Sequence, residues 1–131
     1  MIAQYIQLGD RGWNVLVYYG VGKEDFLEVE DSLLQLDCPV SYIKRAFRVL
    51  KNENTGFTFS NSDYKMSIVC ISLSSNTDQF VNTVIHEAKH VQSHICSYYG
   101  IDEAGEEAAY LIGYLVQRMY KMFAKIVKRY V

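Results

Sequence analysis

One long helical segment sets the main constraint on how this chain can fold. Asn76, with Gln79 three residues later, predicts a helix start, because an Asn side chain there accepts a hydrogen bond from a free backbone N–H group. Gly100 predicts the end, since glycine readily adopts the left-handed conformation that closes a helix. We therefore expect one helix of more than twenty residues between them. Its predicted apolar stripe consists of Val84, Ala88, Val91, Ile95 and Tyr98.

The remaining pattern predicts a single α+β domain over residues 1–131, in the order ββααββαα. Gly9–Gly12 reads as the turn of a hairpin, and the sheet is expected to be small and antiparallel or mixed. The last strand before the long helix is apolar on both faces, so it is either a buried central strand or an edge strand beside that helix. The other predicted strands and helices are Ile2–Leu8, Trp13–Tyr19, Glu24–Leu36, Val40–Leu50, Phe57–Ser60, Lys65–Leu73 and Glu103–Tyr130.

Charge and composition exclude several classes of function. A net charge of −2 at pH 7 does not provide the basic surface that nucleic-acid binding requires. The longest apolar stretch, Ala108–Val116, is about half as long as a membrane-spanning helix. Cys38, Cys70 and Cys96 are scattered singly, which favours reduced, buried thiols. With no signal-peptide pattern at the N-terminus, we predict a cytoplasmic protein without a nucleic-acid or membrane partner.

His86, Glu87 and His90 form an H-E-x-x-H sequence on the long helix. Residues four apart lie one above the other on a helix, so both imidazoles can bind one ion. Both lie about 120–160° from the centre of the apolar stripe, so they are expected to face water or a cleft. Glu87, about 100° round from His86, can accept a proton from water that a metal has activated. The spacing therefore predicts a Zn²⁺ site with two histidine ligands and Glu87 as general base; the alternative is a chance grouping of surface residues.

A catalytic zinc also needs a third protein ligand. His94 lies eight residues after His86, about 12 Å along the helix axis, which is too far for one ion to bind both. We expect His94 to be solvated or to support the ligands indirectly. The better candidates are two adjacent acids at the start of the last helix, Glu106 and, as the alternative, Glu107. Glu106 is preferred because it shares a helix face with Gly113, where a small residue lets helices approach.

His86, Glu87, His90 and a downstream glutamate resemble the gluzincin group of zinc metallopeptidases. The resemblance covers about residues 76–116. It implies a minimal zincin-like fold, zinc held by the two histidines and Glu106 (or Glu107), and Glu87 as general base. Gluzincins usually carry an acid four residues after the ligand glutamate, where this chain has Tyr110 or Leu111.

The whole chain is also similar to small peptidase-like proteins of phages and prophages of gut bacteria. Three stretches carry this likeness: Leu8–Trp13, Asn54–Thr58 and Glu106–Leu111. It implies a location in the cytoplasm of the host cell.

The predicted function is hydrolysis of a peptide bond in a protein or peptide substrate by metal-activated water. One alternative is a non-catalytic phage accessory or structural protein that binds another protein through a zincin-like scaffold. A second is metal-assisted hydrolysis of a different bond, such as a cell-wall amide.

Overall fold

The computed structural model describes residues 1–122 and 125–126 of the chain. The α+β class predicted from the sequence is confirmed, with a mixed four-stranded sheet and four helices in that part of the chain. In chain order the elements are β1 (Ile2–Leu8), β2 (Trp13–Val21), α1 (Phe26–Gln35), α2 (Val40–Leu50), β3 (Gly56–Asn61), β4 (Met66–Ser72), α3 (Thr77–Tyr99) and α4 (Glu106–Tyr120).

The strands lie in the order β1-β2-β4-β3. β1 and β2 are antiparallel, β2 and β4 are parallel, and β3 is antiparallel to β4. Of the two possibilities for the last strand, the buried central one is confirmed: β4 lies between β2 and β3, and all its residues from Ser67 to Ser72 are buried. The edge strand beside α3 is therefore β3. Its Thr58 and Ser60 form side-chain hydrogen bonds with Glu87 and His94 of that helix.

Helices cover both faces of the sheet, so apolar residues of β2 and β4 point alternately to two cores. Val69 and Ile71 of β4 pack in one core with α3 and α4. Ile68 and Cys70 pack in the other core with α1 and α2. The prediction that this strand is apolar on both faces is confirmed, and so is the prediction of free, buried cysteines.

The ends of α3 follow the predicted signals. Asn76 Oδ1 accepts a hydrogen bond from Gln79 N at 2.9 Å, and Gly100 ends the helix in the left-handed region with φ 69°. Four of the five predicted stripe residues are buried, but Tyr98 is 47% exposed. No helix in the described residues combines the length and apolar character needed to cross a membrane.

The start of the last helix differs from the prediction. It begins at Glu106 rather than Glu103, because Asp102 holds a turn in which its backbone carbonyl accepts from Gly105 N at 3.0 Å. Glu103 therefore lies in the connection between α3 and α4. The helix ends at Tyr120, and residues 123–124 and 127–130 of the predicted segment lie outside the described residues.

Candidate metal centre

The two histidines of the H-E-x-x-H sequence converge on one point. His86 Nε2 lies 3.2 Å from His90 Nε2, and the ring planes are 74° apart. Two nitrogen ligands of a tetrahedral zinc ion, each about 2.0–2.1 Å from the metal, are about 3.3 Å apart. The separation in the structure therefore fits a pair of imidazoles that bind one ion.

The histidine face of α3 is open to solvent. The side chain of His86 is 66% exposed, and His90 is also exposed, whereas Ala88 and Val91 are buried. This confirms that the histidines face away from the apolar stripe. Exposed imidazoles can exchange water for a metal ion without opening the core.

Glu87 is buried beside the exposed histidines, with only 3% of its surface accessible. Thr58 Oγ1 of β3 donates to Glu87 Oε1 at 2.8 Å, and Glu87 Oε2 lies 3.8 Å from His86 Nε2. That second distance exceeds the separation of about 3.3 Å between two ligands of one tetrahedral ion. The carboxylate therefore lies next to the place of the ion, as a proton acceptor should.

Gly56 makes room for this carboxylate. A Cβ atom at Gly56 would lie 2.6 Å from Glu87 Oε2 and 2.7 Å from Glu87 Cδ. Any larger residue would push the carboxylate from its position against β3. On the other face of the sheet, burial raises the pKa of the Cys70 thiol, and the charge of Glu87 raises it further.

His94 differs from its predicted state. It is only partly exposed, and its Nδ1 lies 2.7 Å from Ser60 Oγ of β3. Burial lowers the pKa of His94, His90 lowers it further, and Glu103 opposes both effects. The expectation of a solvated side chain is wrong, because β3 lies close enough to cover one side of the ring.

The two acidic residues predicted as third ligand lie away from the histidines. Glu107 forms an ion pair with Arg11, and Glu106 lines a groove with the β1–β2 turn and Tyr110. In the described residues, His86, Glu87 and His90 form the one group of three or more ligand residues whose ligand atoms lie within 4.8 Å of one another. The assignment of Glu106 or Glu107 as third ligand stays a prediction.

Packing of α4 explains that placement. Gln92 Nε2 on α3 donates to the carbonyl of Ala108 on α4 at 2.8 Å. On a helix, residue 92 points about 160° away from the direction of His90. The first turn of α4 thus packs against a side of α3 other than the one that carries the imidazoles.

Residues of β3 were missed by the sequence reasoning. Gly56, Thr58 and Ser60 contact Glu87 or His94, but they belong to no motif. Because side chains alternate along a strand, these three residues share one face. A strand face made only of a glycine and two hydroxyl residues was the available signal, since an ordinary core-facing strand would carry apolar side chains there.

The fold and this site define an α+β protein with a candidate metal centre on one helix and a buried carboxylate beside it. No family model matches the chain, and neither a curated protein nor a solved structure is significantly similar to it. The gluzincin and phage resemblances therefore stay predictions that depend on the residues quoted above.

Proposed function

We propose that this chain is a zinc-dependent peptidase that hydrolyses a peptide bond in a protein or peptide substrate. The observation that supports it most is the convergence of His86 Nε2 and His90 Nε2 at 3.2 Å beside the buried carboxylate of Glu87. A pair of exposed imidazoles with an adjacent buried acid is a costly arrangement for a structural role, because burial of a carboxylate is unfavourable unless it is fully compensated.

His86 and His90 would hold the ion, with Glu106 as the predicted third ligand. Zinc bound in such a site lowers the pKa of a coordinated water molecule towards neutrality. Thr58 occupies Glu87 Oε1, so Oε2 is the atom left to accept a proton on the histidine side. The same carboxyl group can then donate that proton to the departing amine nitrogen, which would otherwise leave as an unstable anion.

We further propose that the domain is a minimal zincin-like fold in which the substrate adds a strand to β3. β3 is an edge strand, antiparallel to β4, and its Thr58 contacts the Glu87 carboxylate. A peptide paired with this edge through backbone hydrogen bonds would run along the histidine face of α3. The substrate strand is proposed to pair with β3 and not with β4, because β4 is already paired with a strand along each edge.

The rival function is a non-catalytic phage accessory or structural protein that binds another protein. One observation favours it: neither Glu106 nor Glu107 belongs to the group of converging ligand atoms. A site with only two imidazole ligands would hold zinc more weakly than a site with three protein ligands. Hydrolysis of a cell-wall amide by the same groups is the enzymatic alternative.

The deciding experiment compares wild type with Glu87→Gln, each purified without a metal-affinity tag. Gln can still accept the hydrogen bond from Thr58, so the variant removes the proton acceptor and little else. We expect about one zinc per chain in both proteins by mass spectrometry, and about 10²–10⁴-fold slower cleavage of a peptide library by the variant. Glu103→Gln, which changes an exposed acid near the same helix, is the control and keeps wild-type activity.

Four other outcomes are informative. Cleavage at wild-type rate by Glu87→Gln would refute its role as proton acceptor. Zinc without cleavage of any peptide would favour the protein-binding function, and cleavage of purified peptidoglycan instead of peptides would favour the cell-wall enzyme. Absence of zinc in both proteins, even after its addition, would rule out the metalloenzyme.

A further inference from the structure

A chain of hydrogen bonds crosses the sheet and ends on His94. Trp13 Nε1 donates to Ser67 Oγ at 3.0 Å, Ser67 Oγ lies 2.7 Å from Ser60 Oγ, and Ser60 Oγ lies 2.7 Å from His94 Nδ1. These four residues belong to β2, β4, β3 and α3. Trp13 and Ser67 are fully buried, so water cannot replace a missing partner at that end.

The direction of these hydrogen bonds follows from chemistry. The Trp13 indole N–H can only donate, so Ser67 Oγ accepts there and must place its own proton elsewhere. The remaining partner of Ser67 among the described residues is Ser60, which then donates its proton to His94 Nδ1. The reverse arrangement would leave the buried Ser67 proton without an acceptor, which costs about 1–3 kcal/mol. Neutral His94 therefore carries its proton on Nε2.

His94 also lines a small hollow between α3 and the sheet. The groups that line it are hydroxyl, imidazole and aromatic, with no carboxylate among them. They belong to Trp13, Ser60, Ser62, His94, Ser97 and Tyr98. Nε2 of His94 makes no hydrogen bond to any described residue, so its N–H remains available to a ligand. The half-exposed ring of Tyr98 supplies an apolar wall.

We infer that this hollow is a specificity pocket for a substrate side chain that ends in a carbonyl oxygen, with His94 Nε2–H as its donor. The inference rests on the proposed peptidase function. His94 lies about 9 Å along the helix from the midpoint of His86 and His90, or two to three residues of an extended peptide. The fixed donor selects an acceptor, and the Tyr98 ring packs against the methylene groups that precede it. Glutamine and glutamate side chains combine both features.

The test measures binding separately from cleavage. Zinc-loaded Glu87→Gln protein is titrated with an alanine-based octapeptide series in which each position in turn is Gln, Glu or Leu. At one position we expect Gln or Glu to bind about five- to tenfold more tightly than Leu, the value of one hydrogen bond. The preference should disappear when His94→Phe is added, because Phe keeps a planar ring but has no donor. Preference for Gln alone or for Glu alone identifies the amide or the carboxylate as the natural group.

Each outcome separates this inference from the proposed function. Cleavage by wild type without any Gln or Glu preference would overturn the pocket and leave the peptidase intact. A preference that survives His94→Phe would also overturn it, since the selection would then occur elsewhere. Binding preference without cleavage would support the pocket and refute the peptidase. If no peptide binds or is cleaved, both proposals are refuted.

Discussion

Two sides of α3 differ in how their polar groups are paired. Towards α4 and the connection that precedes it, Lys89, Gln92 and Ser93 each meet a complementary group. Glu103 accepts hydrogen bonds from Lys89 Nζ at 3.2 Å and from Ser93 Oγ at 3.0 Å, and Gln92 donates to the Ala108 carbonyl. Pairing of this kind satisfies groups that folding brings together, so it needs no function to explain it.

The exposed face of α3 that carries the histidines brings like groups together instead. His86 and His90 place nitrogen atoms 3.2 Å apart, and the two rings would repel each other if both were protonated. Glu87 lies buried beside them, and Thr58 is the one side chain that donates to it among the described residues. An arrangement that gains little stability for the folded chain becomes favourable when a cation is added. The first group of contacts is what helix packing requires, whereas the second could hold a metal ion.

The largest expected effect is the loss of zinc when a histidine of α3 is replaced. His86→Ala and His90→Ala should each abolish zinc binding, measured as metal per chain after dialysis. In the wild type, zinc at a thousand times its dissociation constant should raise the free energy of unfolding by about 4 kcal/mol, which calorimetry with and without chelator detects.

Ser93→Ala, which removes a hydrogen bond to Glu103 but no imidazole, is the matched control and should keep both zinc and its stabilising effect. Equal zinc content in all four proteins would contradict the assignment of the histidine side to metal binding.

The third ligand provides the next effect in size. If Glu106 completes the site, Glu106→Gln should weaken zinc binding by more than the ten- to hundredfold that loss of a supporting partner causes. Glu107→Gln is the control, since that carboxylate pairs with Arg11. Competition titration against a zinc chelator measures both. Unchanged affinity in both variants would mean that α4 stays against its own side of α3 and contributes no ligand.

Displacement of Glu87 should impair activity without loss of metal. A Cβ atom in Gly56→Ala would lie 2.6–2.7 Å from Glu87 Cγ, Cδ and Oε2, so the Glu87 side chain must shift and carry its carboxylate with it. A displacement of about 1 Å reduces catalysis roughly a hundredfold. We expect that loss in kcat, with zinc content unchanged.

Gly113→Ala on α4 is the matched glycine control, because nothing lies within 4 Å of the added Cβ. It should leave activity unchanged and raise the free energy of unfolding by about 0.5–1 kcal/mol, as alanine replaces glycine within a helix. A Gly56→Ala variant with full activity would show that Glu87 does not need its place against β3.

Local signals in the sequence predicted where helices and strands begin and end better than they predicted which of them lie side by side. α2 begins and ends at the predicted residues, and α3 ends at Gly100, because caps and apolar period act over a few residues. The pairing of β2 with β4, and the edge position of β3, depend on contacts between distant segments. A period of two tells which face of a strand is buried but not which strand lies beside it.

The site residues were likewise predicted only where they lie close together in the sequence. His86, Glu87 and His90 were predicted because all three lie within two turns of one helix. Thr58 contacts Glu87 from 29 positions earlier in the chain, and no spacing rule links the two. The predicted start of α4 failed for a local reason, since a turn at Asp102 was not recognised among the acidic residues.

The smallest expected effect comes from the α4 side. Hydrogen bonds from Lys89 and then Ser93 hold the pKa of Glu103 below its usual 4.5. A carboxyl whose pKa is lowered by folding stabilises the protein above its unfolded pKa, and this contribution is lost as pH falls through the folded value. Glu103→Gln should therefore be slightly less stable than wild type at pH 7. The difference should vanish once the pH has fallen below the lowered pKa of Glu103, and it should shrink in 1 M salt because the pair is exposed. Urea denaturation across that pH range measures it. A difference that persists at acidic pH would mean that Glu103 stabilises the fold through packing and not through its charge. The contrast between its contacts and the histidine face would then not be electrostatic.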